Sequence, residues 1–460
     1  MRTSDQAISI NPYTEETIET FSDLSDDGAE QILGAAARAF GSWKMMPVAR
    51  RAEIIRKAGA LLRQNVDKFA KAITLEMGKT IGEAEAEVLK CAAQCEWYAD
   101  NGPAMLADRP MPVESGAAYI SYLPLGPVLG VMPWNFPLWQ AIRAAVPILL
   151  AGNAFILKPA RNVLRSAFNL EDAFRESGMP DGLFSVLNIS QDKISGVIAD
   201  RRVAAVTVTA GVRAGAAVAS QASALLKKSV LELGGSDAFI VLKDADLDRA
   251  VSVGIKARFQ NNGQVCIAAK RFILEKPIAA EFTERFVEGV RALKLGDPLD
   301  RATRLGPMAR ADLRDGLHKQ VEESKHTGAR LLAGGHYVES RGYFYQPTIF
   351  DGVTPGMPIF DEETFGPCAA LKLVNDLDEA IALTNQSEYG LSSNLWTNDL
   401  DLAAKAARRI EAGGVFVNGF SATDPRVPIG GVKLSGYGRE LSSFGVTEFA
   451  NIQTVWRERA

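Results

Sequence analysis

Five short apolar runs, at residues 128–132, 154–157, 183–187, 204–208 and 238–242, recur through the middle of the chain, with helical spacing at 140–150, 164–177 and 214–226 lying between several of them. Runs this short and this apolar suit strands buried on both faces, and the intervening helices supply the cover. The rhythm is that of βαβ units, which predicts an α/β fold built on a parallel sheet. Ligands bind such sheets at the carboxyl ends of the strands. Asn135, Lys158 and Thr209 follow on predicted strands, which makes them candidate ligand contacts.

After Gly234 and Gly235 the alternation restarts, with helices expected near 247–259, 279–293 and 309–327 and strands near 271–274, 369–373 and 414–417. This reads as a second α/β domain. At 460 residues the chain is too long for one ordinary core, in keeping with two or three domains. The first hundred residues read mostly as amphipathic helices covering a sheet, with Ile54, Ala58, Leu61 and Leu62 on one face. A short extended start over 10–20 precedes them. Two strand-like pieces, 119–123 and 448–458, have no place in either sheet, which suggests an arm or a subunit contact.

Charge and cysteine content exclude several functions. Lys and Arg total 51 against 55 Asp and Glu, and no basic block interrupts the chain, so neither nucleic acid nor an anionic membrane is an expected partner. Ser4, Asp5 and Gln6 break any apolar signal core, and the longest apolar run, 144–157, falls short of the ~20 residues of a membrane span. A cytoplasmic protein is expected. The four cysteines, Cys91, Cys95, Cys266 and Cys368, form no CxxC pair, and the three histidines have no zinc-type spacing, so no metal is expected. Cys91 and Cys95, four apart in a helical stretch, are expected in the core.

Cys266 stands apart, in FQNNGQVCIAAKR over 259–271, just after a polar turn and before a run of small residues. A thiol there is either a small buried hydrophobe or a nucleophile, and a nucleophile needs help towards its thiolate. Its surroundings in the sequence favour the nucleophile. PWNFPLW at 133–139, LELGGSD at 231–237, GQVC at 263–266, EETFGP at 362–367 and PIGGVKLSGYGRE at 428–440 occur in one order and spacing across the chain. Together they resemble the aldehyde dehydrogenase superfamily over essentially the whole length, and within it most closely the bacterial succinate-semialdehyde dehydrogenases of the Sad type.

The resemblance implies an α/β aldehyde dehydrogenase fold. Its parts are a Rossmann-like cofactor-binding domain (1–110 and 126–231), an α/β catalytic domain (232–425) and a small β oligomerisation arm (111–125 and 441–460). It implies Cys266 as nucleophile, Asn135 as oxyanion donor beside the Cys266 N–H, and Glu232 as the base that activates water against a thioester. Lys158 matches the lysine at the adenine-side ribose and Glu363 the carboxylate at the nicotinamide ribose. Phe365 and Trp134 lie beside them, with Thr209, Gly211 and Gly215 on the phosphate side.

Two departures bear on the cofactor, NADP or NAD. Arg161 stands where an acidic residue usually accepts from the 2′-hydroxyl, which favours a 2′-phosphate and hence NADP. Ala210 and Gly211 replace the usual Gly-Ser, leaving the pyrophosphate to backbone N–H groups and the helix terminus. For the substrate, Arg143 matches the position of a carboxylate-binding arginine, a second such arginine is replaced by Gln260, and Arg426 in SATDPRVP offers a substitute. The expected reaction is oxidation of succinate semialdehyde to succinate, with a homo-oligomer, dimer or tetramer, as the working form. Oxidation of another short or medium aldehyde, a thiol esterase and a non-catalytic binding module on the same fold are the alternatives.

Overall fold

The computed structural model describes residues 6–458; residues 1–5, which include Ser4 and Asp5 of the N-terminal reading, and 459–460 of the expected arm lie outside the described residues. Two sheets carry the molecule. The first has six strands in the spatial order Gly436–Tyr437, Lys228–Glu232, Ala205–Thr209, Pro127–Val131, Ala154–Lys158 and Phe184–Val186. All neighbours are parallel except the first pair. From Pro127–Val131 the chain winds outwards through two strands, then returns to lay Ala205–Thr209 on the other side of its starting strand. That reversal is a topological switch point, and it opens a crevice at the strand carboxyl ends.

These strands are buried on both faces. Cover comes from Asp26–Trp43, Val48–Gln64, Val66–Met77 and Ile81–Met105, together with Trp139–Leu150 and Leu164–Glu176. Asp26–Trp43 starts where Ser25 accepts the Gly28 N–H at 3.1 Å, with Asp26 and Asp27 favourably placed in its first turn. Cys91 and Cys95 are fully buried in this core. The extended start is a hairpin, Gln6–Ile10 paired with Thr17–Ser22.

The second sheet has seven strands, ordered Arg330–Ala333, Thr348–Asp351, Cys368–Val374, Ala269–Glu275, Asp237–Val241, Ser392–Trp396 and Gly414–Val417. Only Arg330–Ala333 runs antiparallel to its neighbour. Phe239 and Phe272 on one face cluster with Phe282 and Phe286 of the covering helix Lys276–Arg291. Ile240, Ala380, Leu395 and Ala403 pack on the other. The two unplaced pieces pair with each other: Ala450–Arg457 runs antiparallel to Ala117–Pro124, with Arg109–Met111 completing a three-stranded ribbon. Among the described residues no helix is long and apolar enough to cross a membrane.

The junction of the sheets places the site. Lys228–Glu232 ends at the carboxyl edge of the first sheet, and four residues later Asp237–Val241 begins the second. Cys266 comes just before Ala269–Glu275, the parallel neighbour of Asp237–Val241. The carboxyl edge of one sheet therefore meets the amino edge of the other, with Glu232 and Cys266 on the two sides.

Candidate active site

The Cys266 side is built by a helix that stops abruptly. Leu247–Phe259 is started by Asp246, whose side chain accepts the Arg249 N–H at 3.1 Å. It ends at Gln260, and Asn261, Asn262 and Gly263 then take positive φ values of 50°, 56° and 71°. Asparagine is the non-glycine residue that tolerates this conformation best. Gly263 has no alternative, because a Cβ there would lie 2.3 Å from the Gly366 carbonyl oxygen. The turn delivers Cys266 half-buried into a cavity of about 660 Å³.

Hydrogen bonds fix this turn on all sides. Asn261 Nδ2 donates to the Asn135 carbonyl at 2.8 Å, and its backbone N–H donates to Glu83 at 2.8 Å. Asn262 donates to Gly306 O at 3.0 Å, and Gln264 Oε1 accepts from Ala309 N at 2.9 Å. Arg258, fully buried, donates to the carbonyls of Gly263, Thr364, Gly366 and Cys368, which ties the Cys266 loop to the loop of Glu363. Lys270 donates to Cys266 O at 2.6 Å and lies 3.9 Å from Glu363. Neither Arg258 nor Lys270 was singled out by the sequence; Lys270 lies in the quoted stretch, but a basic side chain there reads as surface until its burial is seen.

Opposite lie the strand ends. Asn135 is buried, and its Nδ2 donates to Gln264 O at 3.0 Å, while its Oδ1 has no partner. Glu232 is 3 % exposed, and its Oε1 is also unpartnered. A buried carboxylate oxygen without a donor is costly, so a group that visits during reaction is its natural partner. Burial pushes the Glu232 carboxyl up to about 8, with Arg143 opposing and Glu440 adding to the rise. Burial likewise pushes the Cys266 thiol up to about 11; Arg143 and Lys270 pull it down, and Glu363 and Glu232 push it up. Glu232 thus lies near enough to act on the Cys266 thiol, and it opposes the thiolate that Arg143 and Lys270 favour.

A dinucleotide fits the switch-point crevice. The helix Val212–Ala224 begins there at Gly211 with no side-chain cap, and a Cβ on Gly211 would meet nothing within 4 Å. Its first N–H groups are therefore open to an anion. Lys158 ends its strand, its amine 3.0 Å from the Pro159 carbonyl and pushed down to about 8 by burial and then by neighbouring Arg161. Arg161 itself donates to Asp23 at 2.8 Å. Trp134 and Phe365 meet edge to face at 5.7 Å, and Glu363 accepts the Gly235 N–H at 3.0 Å. Among the described residues no cluster of His, Cys, Asp and Glu could hold a metal ion.

Three expected residues sit differently. Gly215 is buried against Leu233, where a Cβ would come within 2.3 Å, so it lets the helix approach the strand. Arg143 lines the cavity but is buried and paired with Glu440, while its Nη2 donates to Thr209 Oγ1 at 3.2 Å. Its charge is already paired inside the protein, with Nε held by Glu440 and Nη2 by Thr209. Arg426 is exposed and forms a bidentate pair with Asp424 at 2.7 and 2.6 Å, outside the residues that line the cavity. Gln260 does line it. Glu440, at the end of the quoted PIGGVKLSGYGRE, was given no role by sequence; besides Arg143 it accepts from Thr207 at 3.1 Å.

The likeness to known proteins runs along the whole chain. The sequence pattern of the Aldehyde dehydrogenase family matches residues 1–455. The chain is 53 % identical over 453 residues to the succinate semialdehyde dehydrogenase [NAD(P)+] Sad of Escherichia coli strain K12, covering 98 % of each protein. It is 45 % identical to a probable succinate-semialdehyde dehydrogenase [NADP(+)] of Synechocystis, covering 97 % of this chain and 98 % of the relative. The crystal structure of succinic semialdehyde dehydrogenase from Streptococcus pyogenes in complex with NADP+ superposes with a TM-score of 0.97 at 37 % identity, covering 98 % of this chain and all of that one. With a half-buried thiol facing a buried carboxylate across the junction of two such sheets, and this degree of likeness, the chain belongs to the aldehyde dehydrogenase family.

Proposed function

We propose that the chain oxidises succinate semialdehyde to succinate, with NADP or NAD as hydride acceptor and NADP preferred. The observation that carries this is the facing pair at the sheet junction, Cys266 in the cavity and Glu232 buried with an unpartnered oxygen. The 53 % identical relative supports the choice of aldehyde. Cys266 Sγ attacks the carbonyl carbon and forms a thiohemiacetal. The developing oxyanion takes hydrogen bonds from Asn135 Nδ2 and the Cys266 N–H. The bound nicotinamide supplies the acceptor for the departing hydride. The carbon is left as a thioester of Cys266, and Glu232 takes a proton from the water that hydrolyses it, releasing the acid and the thiol.

Residues at the strand ends are assigned to the cofactor: Trp134, Lys158, Arg161, Thr209 and Gly211, with Glu363 and Phe365 from the facing loop. Adjacent Lys158 and Arg161 suit a 2′-phosphate, which supports the preference for NADP. The first sheet with its helices serves as cofactor domain and the second as catalytic domain. We further infer a cytoplasmic homo-oligomer assembled through the β ribbon, on which Ile452 and Trp456 are exposed apolar side chains.

Steady-state kcat/KM for succinate semialdehyde and for two uncharged aldehydes, each with NAD and with NADP, tests the reading. Turnover of succinate semialdehyde well above the uncharged aldehydes is expected. A preference for the uncharged aldehydes would replace the substrate, and ester hydrolysis without nicotinamide turnover would replace the reaction.

A further inference from the structure

We propose that Lys90, steadied by Thr423, is the group that binds the carboxylate at the far end of the aldehyde. The proposal rests on the reading above of an acidic aldehyde as substrate, and it adds an anchor whose charge no carboxylate of the described residues already holds.

The cavity that receives Cys266 is lined by six basic side chains, and three are already paired with carboxylates. Lys79 is buried against Glu87, Arg143 against Glu440, and Arg301 against Glu85 at 2.6 Å. Lys256 and Arg304 are exposed, where water already solvates their charge. Lys90 differs from all of these. It is half-buried, its ammonium sits 4.0 Å from the centroid of the buried Trp139 ring, and its one hydrogen bond is to Thr423 Oγ1. No carboxylate among the described residues pairs with it.

An ammonium has three N–H donors, and here one is held by Thr423. The nearest acidic candidates are engaged elsewhere. Glu87, on the same helix, accepts the Leu138 and Trp139 N–H groups at 3.0 Å with one oxygen and holds Lys79 with the other. Asp424, beside Thr423, is clamped by Arg426. Arg426 thus has a place in the arrangement, since it keeps Asp424 from filling the partner position at Lys90. The result is a desolvated cation beside an aromatic face in the wall of the substrate cavity, and a carboxylate supplies what it lacks. Burial also pushes the free ammonium down to about 8.

Replacement of Lys90 by methionine keeps the length and removes the charge. In Lys90→Met, kcat/KM for succinate semialdehyde should fall by about 10²-fold, through KM more than kcat, while butanal is turned over as in the wild type. Lys90→Arg should restore part of the loss, and Thr423→Val should show a smaller loss of the same kind. Succinate should inhibit butanal oxidation competitively in the wild type and much less in Lys90→Met. This inhibition measures the anchor even where succinate semialdehyde proves a poor substrate, so the two readings can fail separately. The groups facing the Lys90 ammonium are Glu87 and Cys91 on its own helix, Arg143 on Trp139–Leu150 and Asp424 on the loop. The ratio of the two kcat/KM values should fall as pH rises through about 8 in the wild type and stay flat in Lys90→Met. Equal losses for both aldehydes, or succinate inhibition undiminished in a folded Lys90→Met protein, overturn the proposal.

Discussion

The two banks of the active-site cleft use their polar groups in opposite ways. On the Cys266 bank, Asn261, Asn262, Gln264, Arg258 and Lys270 each end on a backbone carbonyl or amide of the protein. On the strand-end bank, Glu232 Oε1 and Asn135 Oδ1 are buried without partners, and the helix after Gly211 starts uncapped. The side-chain donors of the Cys266 bank are held by the protein itself, although Asn261 Oδ1 and Asn262 Oδ1 are buried there without partners, whereas the strand-end bank leaves a carboxylate oxygen and a helix N-terminus open. The nucleophile is therefore held before substrate arrives, and on the opposite bank Glu232 Oε1 keeps its capacity for the water and the helix terminus its capacity for the cofactor.

Removing the nucleophile tests this contrast at its strongest. Cys266→Ala should lower kcat/KM on the order of 10⁶-fold with the fold intact, read as reduced-nicotinamide absorbance beside an unchanged thermal melt. Glu232→Gln comes next and should separate the steps. A burst of one reduced nicotinamide per site should persist while steady-state turnover drops by about 10²–10⁴-fold, because thioester hydrolysis has lost its base. The base works ionised, and burial raises its carboxyl to about 8. Wild-type kcat should then be full above that pH and fall as pH drops through it, and the Gln variant should lose this limb. A slow variant with no burst would move Glu232 to the first step.

A variant of the turn probes the Cys266 bank. Gly263→Ala places a Cβ 2.3 Å from Gly366 O at a φ of +71°. The strain is on the order of 1–3 kcal/mol, enough to displace the loop and lower the melting temperature. Misplacing the thiol by an ångström should cost about 10²-fold in kcat/KM. An unchanged rate with a lowered melting temperature would mean that the turn stabilises the protein without aiming Cys266.

The alternation of runs was legible because strands buried on both faces leave almost unbroken apolar sequence. The helix Leu247–Phe259 and the strand Gly414–Val417 came out with their ends in place. Ser392–Trp396, next to the edge strand of the second sheet, was missed, since Ser392, Ser393 and Asn394 are polar yet fully or nearly buried, and their side chains are paired inside the protein. The edge pair Gly436–Tyr437 was hidden for a different reason: two residues carry no periodicity. In the site, the motifs that carry Cys266 and Glu232 lie where the two sheets meet. The substrate side turns on charge accounting. A sequence shows that Arg143 and Arg426 are basic, but not that Glu440 and Asp424 already hold them. The loop SATDPRVP was the right one, and it reaches the cavity through Thr423.

The smallest expected effect lies at the outer end of the strand-end bank. Arg161 is 29 % exposed, paired with Asp23, and close enough to Lys158 to lower its pKa. If its charge serves a 2′-phosphate, Arg161→Gln should lower kcat/KM with NADP about tenfold, the worth of one charge-assisted hydrogen bond, and leave NAD nearly unchanged. Asp23→Asn should do the reverse, because it removes a carboxylate that pairs with Arg161 and would repel the phosphate. Measuring both variants with both cofactors separates selectivity from stability, since a merely structural ion pair would move NAD and NADP together. A common loss in both variants would place the Arg161–Asp23 pair with the groups that the protein itself holds, and the division between the two banks would then begin at Lys158.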